Sequence, residues 1–197
     1  MNQDKATKIA NTIISIVLLA ARVRSTKLMK IFMSENEKIA HEKFKKYCPN
    51  KDWIMLYNSE LLRLIGQYAV VGREFDTNKI AAITIPVGLL QDLPFCKCHG
   101  IVIVSPAALE LSKNRNPKLD VDNYFDQTLK HECRHISQFE YLNSEIGQSG
   151  INYFLREFSK ENYFSNPLER DAYRYQLFNI DVDMDIVFGD YIDDWYT

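Results

Sequence analysis

Glycine and proline are scarce in this chain, seven and six among 197 residues. That scarcity argues against long flexible linkers, and no internal repeat or low-complexity tract breaks the sequence. Cysteine is scarce too. Cys48, Cys96, Cys98 and Cys133 are too few for a disulfide framework at this length, so free thiols in a reducing compartment are expected. Histidine numbers only four: His41, His99, His131 and His135. Apolar runs long enough to span a bilayer are missing as well. IANTIISIVLLAA (residues 9–21) stops at 13 residues, against the ~20 that a transmembrane helix needs.

What remains is the composition of a folded soluble protein, 46% hydrophobic and 25% charged. The net charge of −2 is unevenly spread. Residues 1–52 hold 11 Lys/Arg against 5 Asp/Glu, a balance of +6, which leaves −8 for residues 53–197. The basic third reads as a solvated helix face, and no specific nucleic-acid partner is expected. The acidic end, DVDMDIVFGDYIDDWYT, resembles a calcium loop only superficially. Ile186 stands where the turn glycine belongs and Ile192 where the bidentate glutamate belongs, which excludes that motif.

Residues 9–21 place Ile9, Ile13, Ile16 and Ala20 at helical spacing, the pattern of an amphipathic packing helix rather than a membrane contact. A cytoplasmic protein is expected. Export is the alternative, since Lys5 and Lys8 precede the run and Ala20-Ala21 end it. Met29 and Met33 are alternative starts of the chain. A division follows into a basic helical segment, 1–52, and a domain, 53–197, with an acidic C-terminal tail.

Within that domain the order of elements argues for an α+β fold. A helix is predicted over 34–47, with Ser34 and Glu37 spaced as a capping box. SELLRLI (59–65) reads as a second helix, ended by Gly66. QYAVVGREF, KIAAITIPVGL and HGIVIVSP follow as β-rich runs, with Ser105-Pro106 opening a short helix. CKCH (Cys96, Cys98, His99) sets soft ligands close together. Its one-residue gap is shorter than zinc-knuckle spacing and no second pair exists, so a plain loop is expected.

The chemistry concentrates in TLKHECRHISQFEYL. A helix from about Tyr124 to Leu142, capped by Asp122 or Asn123, puts His131, His135 and Gln138 on one face. Phe125, Leu129, Cys133, Ile136 and Phe139 form its apolar side, which makes Cys133 a small packing residue. Two histidines four apart can reach one tetrahedral ion, and Glu132 between them can accept a proton from water. A third ligand is sought downstream, in SNPLERDAYRYQ. Asn166 and Pro167 announce a helix start, and Glu169 falls in its first turn. Glu169 there is either a capping-box partner or the missing ligand, with Asp171 as the other ligand candidate.

HECRHISQ followed by NPLERDAY resembles the zincin metallopeptidases of the glutamate-ligand, gluzincin-like kind. It is similar to small bacterial and phage domains with HExxHxxQ and a downstream NPxExxA. The resemblance covers roughly residues 68–178. It implies a zincin-like fold: N-terminal helices, a small and mostly antiparallel sheet, the HExxH helix, and a ligand-bearing helix after it. It also implies zinc as the cofactor, His131, His135 and Glu169 as its ligands, and Glu132 as general base. IVIVS would be the strand lining the substrate groove. Three departures stand out. Gln138 and Tyr141 replace the glycine and histidine of the metzincin extension, Arg134 puts a charge inside the motif, and Tyr173 occupies the place of the thermolysin-like aspartate.

The resulting expectation is a zinc-dependent peptidase acting on a peptide or protein substrate. Tyr173, one turn after Glu169, is either a donor to the oxyanion or a core residue. The alternatives are a catalytically inactive zincin-like protein that binds metal or a partner, and an interaction protein working through its basic N-terminal helix.

Overall fold

A computed structural model describes residues 33–48, 52–62, 81–86, 99–108, 121–147 and 166–188. The architecture is mixed α+β, as the element order predicts. Helix α1 (Glu35–Tyr47) is followed by strands β1 (Trp53–Tyr57), β2 (Ala82–Pro86) and β3 (Gly100–Val104), then helices α2 (Val121–Ile146) and α3 (Pro167–Phe178). Helical turns at 59–62, 106–108 and 184–188 complete the described structure.

Local signals explain most of these elements. Ser34 caps α1 by accepting from the Glu37 amide, with Glu35 and Glu37 at the positive end of the helix and Lys45 and Lys46 at the negative one. Asn166 caps α3 in the same way, accepting from the Leu168 amide, with Pro167 next. Helix α2 begins at Val121, so Asp122 and Asn123 lie in its first turn rather than at its cap. Gly147 follows its last residue at φ 56°, where a side chain would be strained.

The three strands form one sheet in the order β1-β3-β2. β3 pairs parallel with β1 and antiparallel with β2. The sheet is therefore mixed rather than mostly antiparallel, because β1, WIMLY, was not foreseen as a strand. It lies at the start of the 53–197 stretch, and its parallel pairing with β3 needs the long connection that separates them. The IVIV run is the central strand, with all five residues of β3 buried. Its backbone is paired on both sides, with β1 and with β2. β2, at the sheet's edge among the described residues, is the strand that packs on α2.

The core sits between the sheet and the helices. Ala40 and Phe44 of α1, Met55, Val102 and Val104 of the sheet, and Phe125, Leu129, Ile136 and Phe139 of α2 are buried together. Trp53 crosses Phe139 edge-on at 5.7 Å, and its indole N–H donates to Glu140 at 2.5 Å. Gly100 pairs with Trp53 in the sheet, and a Cβ there would meet the Trp53 ring at 2.2 Å. Cys133 lies in this core as expected. Its thiol is pushed well up, first by a hydrogen bond with Cys48 and then by burial, which keeps it protonated and inert.

The strand expected at 67–75, the end of the helix after residue 62, Cys96 and Cys98, and the segment 9–21 lie outside the described residues. No helix among the described residues is long and apolar enough to cross a membrane.

Candidate metal centre

Helical spacing puts His131 and His135 one turn apart on the face of α2 that meets α3, with Glu132 beside them. Asn166 and Pro167 start α3 at the point that brings Glu169, in its first turn, against both rings. His131 Nε2 lies 3.0 Å from His135 Nε2 and 3.1 Å from Glu169 Oε2. His135 Nε2 lies 3.6 Å from Glu169 Oε1. All three side chains are buried, and they form a group able to hold a metal ion. The Glu169 carboxylate is turned to the two histidines.

The donors fit a tetrahedral cation. Bonds of about 2.0–2.2 Å set neighbouring ligand atoms roughly 3.3 Å apart; the two imidazole nitrogens are 3.0 Å apart, and each lies 3.1 or 3.6 Å from a different oxygen of Glu169. The tautomers agree. Gln138 donates both amide protons, to the Leu168 carbonyl at 2.9 Å and to Asp171 Oδ2 at 2.7 Å, so its oxygen must face His135 Nδ1 at 2.8 Å. His135 therefore carries its proton on Nδ1 and turns the Nε2 lone pair inward. The Gln176 oxygen sits 3.0 Å from His131 Nδ1 and selects the same tautomer there. Two lone pairs and a carboxylate then face one buried point, an arrangement that repels itself unless a cation or a proton occupies it.

Formal charge points the same way. A divalent cation between the histidines would offset the buried carboxylates of Glu132 and Glu169. Without metal, protons take that role. Burial works against a charge on His135, but the Glu169 carboxylate more than offsets it and raises the imidazole's pKa. Burial likewise works against the Glu169 charge, and hydrogen bonds from His131 and His135 outweigh it, holding the carboxyl well below its usual range.

The other expected residues find places around this group. The Thr84 hydroxyl of β2 donates to Glu132 Oε2 at 2.6 Å, which fixes the carboxylate between the sheet edge and α2. Tyr173 is half-buried, its ring edge-on to His131 at 4.7 Å. Asp171, the other ligand candidate, is not in the group. It takes a two-pronged bond from Arg134, Nε to Oδ2 at 2.7 Å and Nη2 to Oδ1 at 3.0 Å. Arg134 also donates to Asp181 at 2.6 Å and to the Val182 carbonyl at 2.5 Å. The charge inside the motif thus faces away from the histidines and ties α2 to α3 and to residues 181–182.

Sequence reading overlooked Thr84, Gln176 and the Arg134–Asp171 pair. Helical spacing offered a signal for the last two: Arg134 lies off the His131/His135 face, and Gln176 follows Glu169 by two turns of α3. Nothing in the sequence singled out Thr84, whose place depends on the sheet. No protein-family model matches this chain, and no curated protein or solved structure matches it.

Proposed function

We propose that this protein is a zinc-dependent metallopeptidase of gluzincin-like type, with His131, His135 and Glu169 as metal ligands. The observation that carries the reading is the convergence of three buried donors with a fourth acidic group, Glu132, next to them on α2. Two imidazoles and one carboxylate are a common donor set for catalytic zinc, and three protein ligands leave a position open. When bound, zinc supplies a Lewis acid that polarises a carbonyl and brings the pKa of water down to about 7.

The chain's own residues do the rest. Glu132 accepts the proton of the attacking water and returns it to the leaving amine, so that one carboxylate serves as base and then as acid. Thr84 occupies one of its oxygens and holds it in place. Tyr173, packed on His131, is the donor proposed for the oxyanion. β2 stands beside Glu132 at the sheet edge among the described residues, and its backbone suits pairing with an extended peptide substrate.

A second reading is a zincin-like protein that binds metal or a partner without turnover. Glu132→Gln separates the two. With unchanged zinc content, the peptidase reading expects hydrolysis of a general substrate such as casein to fall by about 10²–10⁴. Equal hydrolysis by both proteins, or none by the zinc-loaded wild type, contradicts it.

A further inference from the structure

We infer that Gln138 is the positioning residue of the metal centre, and that an amide is required there, whereas Gln176 tolerates a carboxylate. The inference rests on the reading that His131, His135 and Glu169 hold a divalent cation. Gln138 is fully buried, at 0% exposure. Its oxygen accepts from His135 Nδ1, and its nitrogen donates to the Leu168 carbonyl and to Asp171 Oδ2. Leu168 and Asp171 flank Glu169 in sequence. One amide thus fixes the ring of one ligand and the helical turn that carries another.

The chemistry of this junction admits few substitutes. It needs an acceptor on the side of His135 and two donors on the side of α3, and both N–H groups of Gln138 are used. A glutamate would keep the acceptor but set a carboxylate against Asp171, with no proton for Leu168. A leucine would keep the shape and remove the acceptor that Gln138 offers His135 Nδ1. Asp171 retains Arg134 in either case, so the α2–α3 contact keeps its ion pair.

Gln176 is different. It is half-buried, its oxygen accepts from His131 Nδ1, and its amide nitrogen has no partner among the described residues. A carboxylate there keeps the one bond that matters and makes His131 a more basic ligand. The two histidines thus have outer partners of the same residue type but with different freedom to vary.

The test is zinc affinity of the full chain, measured by competition with a chromophoric chelator using Zn2+ alone. Gln138→Leu and Gln138→Glu are expected to bind about 10–100-fold more weakly than wild type. Gln176→Glu is expected to bind as tightly or more tightly. The visible bands of the Co2+-loaded protein should shift in both Gln138 variants, a change that loss of packing remote from the ion would not produce. Gln138 variants with wild-type affinity and spectra overturn the inference, as does an equal loss in Gln176→Glu. If both Gln138 variants lose the helical circular-dichroism signal, Gln138 holds the fold rather than the site, and the inference is likewise overturned. Wild type that binds no zinc overturns the metal reading itself, and with it this one.

Discussion

Arg134 shows how a residue can look misplaced in sequence and be essential in space. It stands between Glu132 and His135 in the chain, yet helical geometry points it to the far side of the α2–α3 contact, onto Asp171. Both side chains are buried, at 4% and 5% exposure. A buried ion pair adds little over an apolar pair of the same shape, but removing one partner leaves the other charge stranded. Arg134→Met should therefore lower unfolding free energy by about 3–5 kcal/mol, read from the urea midpoint. Adding Asp171→Leu should recover part of that loss. A double variant less stable than Arg134→Met alone would show that the bond Asp171 accepts from Gln138 outweighs the relief of its stranded charge. Asp171, weighed as a ligand from its position near Glu169, could not be excluded by sequence, because only the rotation of α3 decides which carboxylate meets the histidines.

At the scale of elements, the helices were more legible than the sheet. The capping residues Ser34 and Asn166 mark two helix starts, and the apolar stripe of Phe125, Leu129, Ile136 and Phe139 marks the buried side of α2. Those features act within a turn or two of chain. Strand pairing joins residues far apart, and so neither WIMLY as a strand nor the order β1-β3-β2 is legible in any local pattern. Gly100 makes the point in one residue. It opens β3 under the Trp53 ring, where an added Cβ would lie 2.2 Å from one ring carbon and 2.7 Å from the Ile85 carbonyl. Gly100→Ala should cost about 1–3 kcal/mol through overpacking, measured by thermal or urea unfolding. An unchanged midpoint would mean that the Trp53 ring and the Ile85 carbonyl both give way freely, and the bond from Trp53 to Glu140 would then not hold β1 in place.

Taken whole, the molecule brings α2 and α3 together around buried charge, so that a cation held there would link metal binding to stability. The HExxH spacing and the NPLE start of α3 made the three donors legible as a group. The neutral glutamines behind them and the threonine under Glu132 depend on how α2, α3 and β2 are docked, which no local pattern encodes. A ligand that binds the folded state alone stabilises it by mass action, about 2.7 kcal/mol at 100 times its dissociation constant. Zinc should therefore raise the melting temperature of the chelator-stripped chain, and Glu169→Gln should reduce that rise. A melting temperature indifferent to zinc would place any bound ion outside the α2–α3 contact.

The central claim is that two imidazoles and a carboxylate hold the ion. X-ray absorption at the zinc edge, on the full chain loaded with one equivalent, tests it most directly. The account predicts only nitrogen and oxygen neighbours at about 2.0–2.2 Å, with the scattering pattern of two histidines and no sulfur. Sulfur at about 2.3 Å would move the site to the cysteines and contradict it.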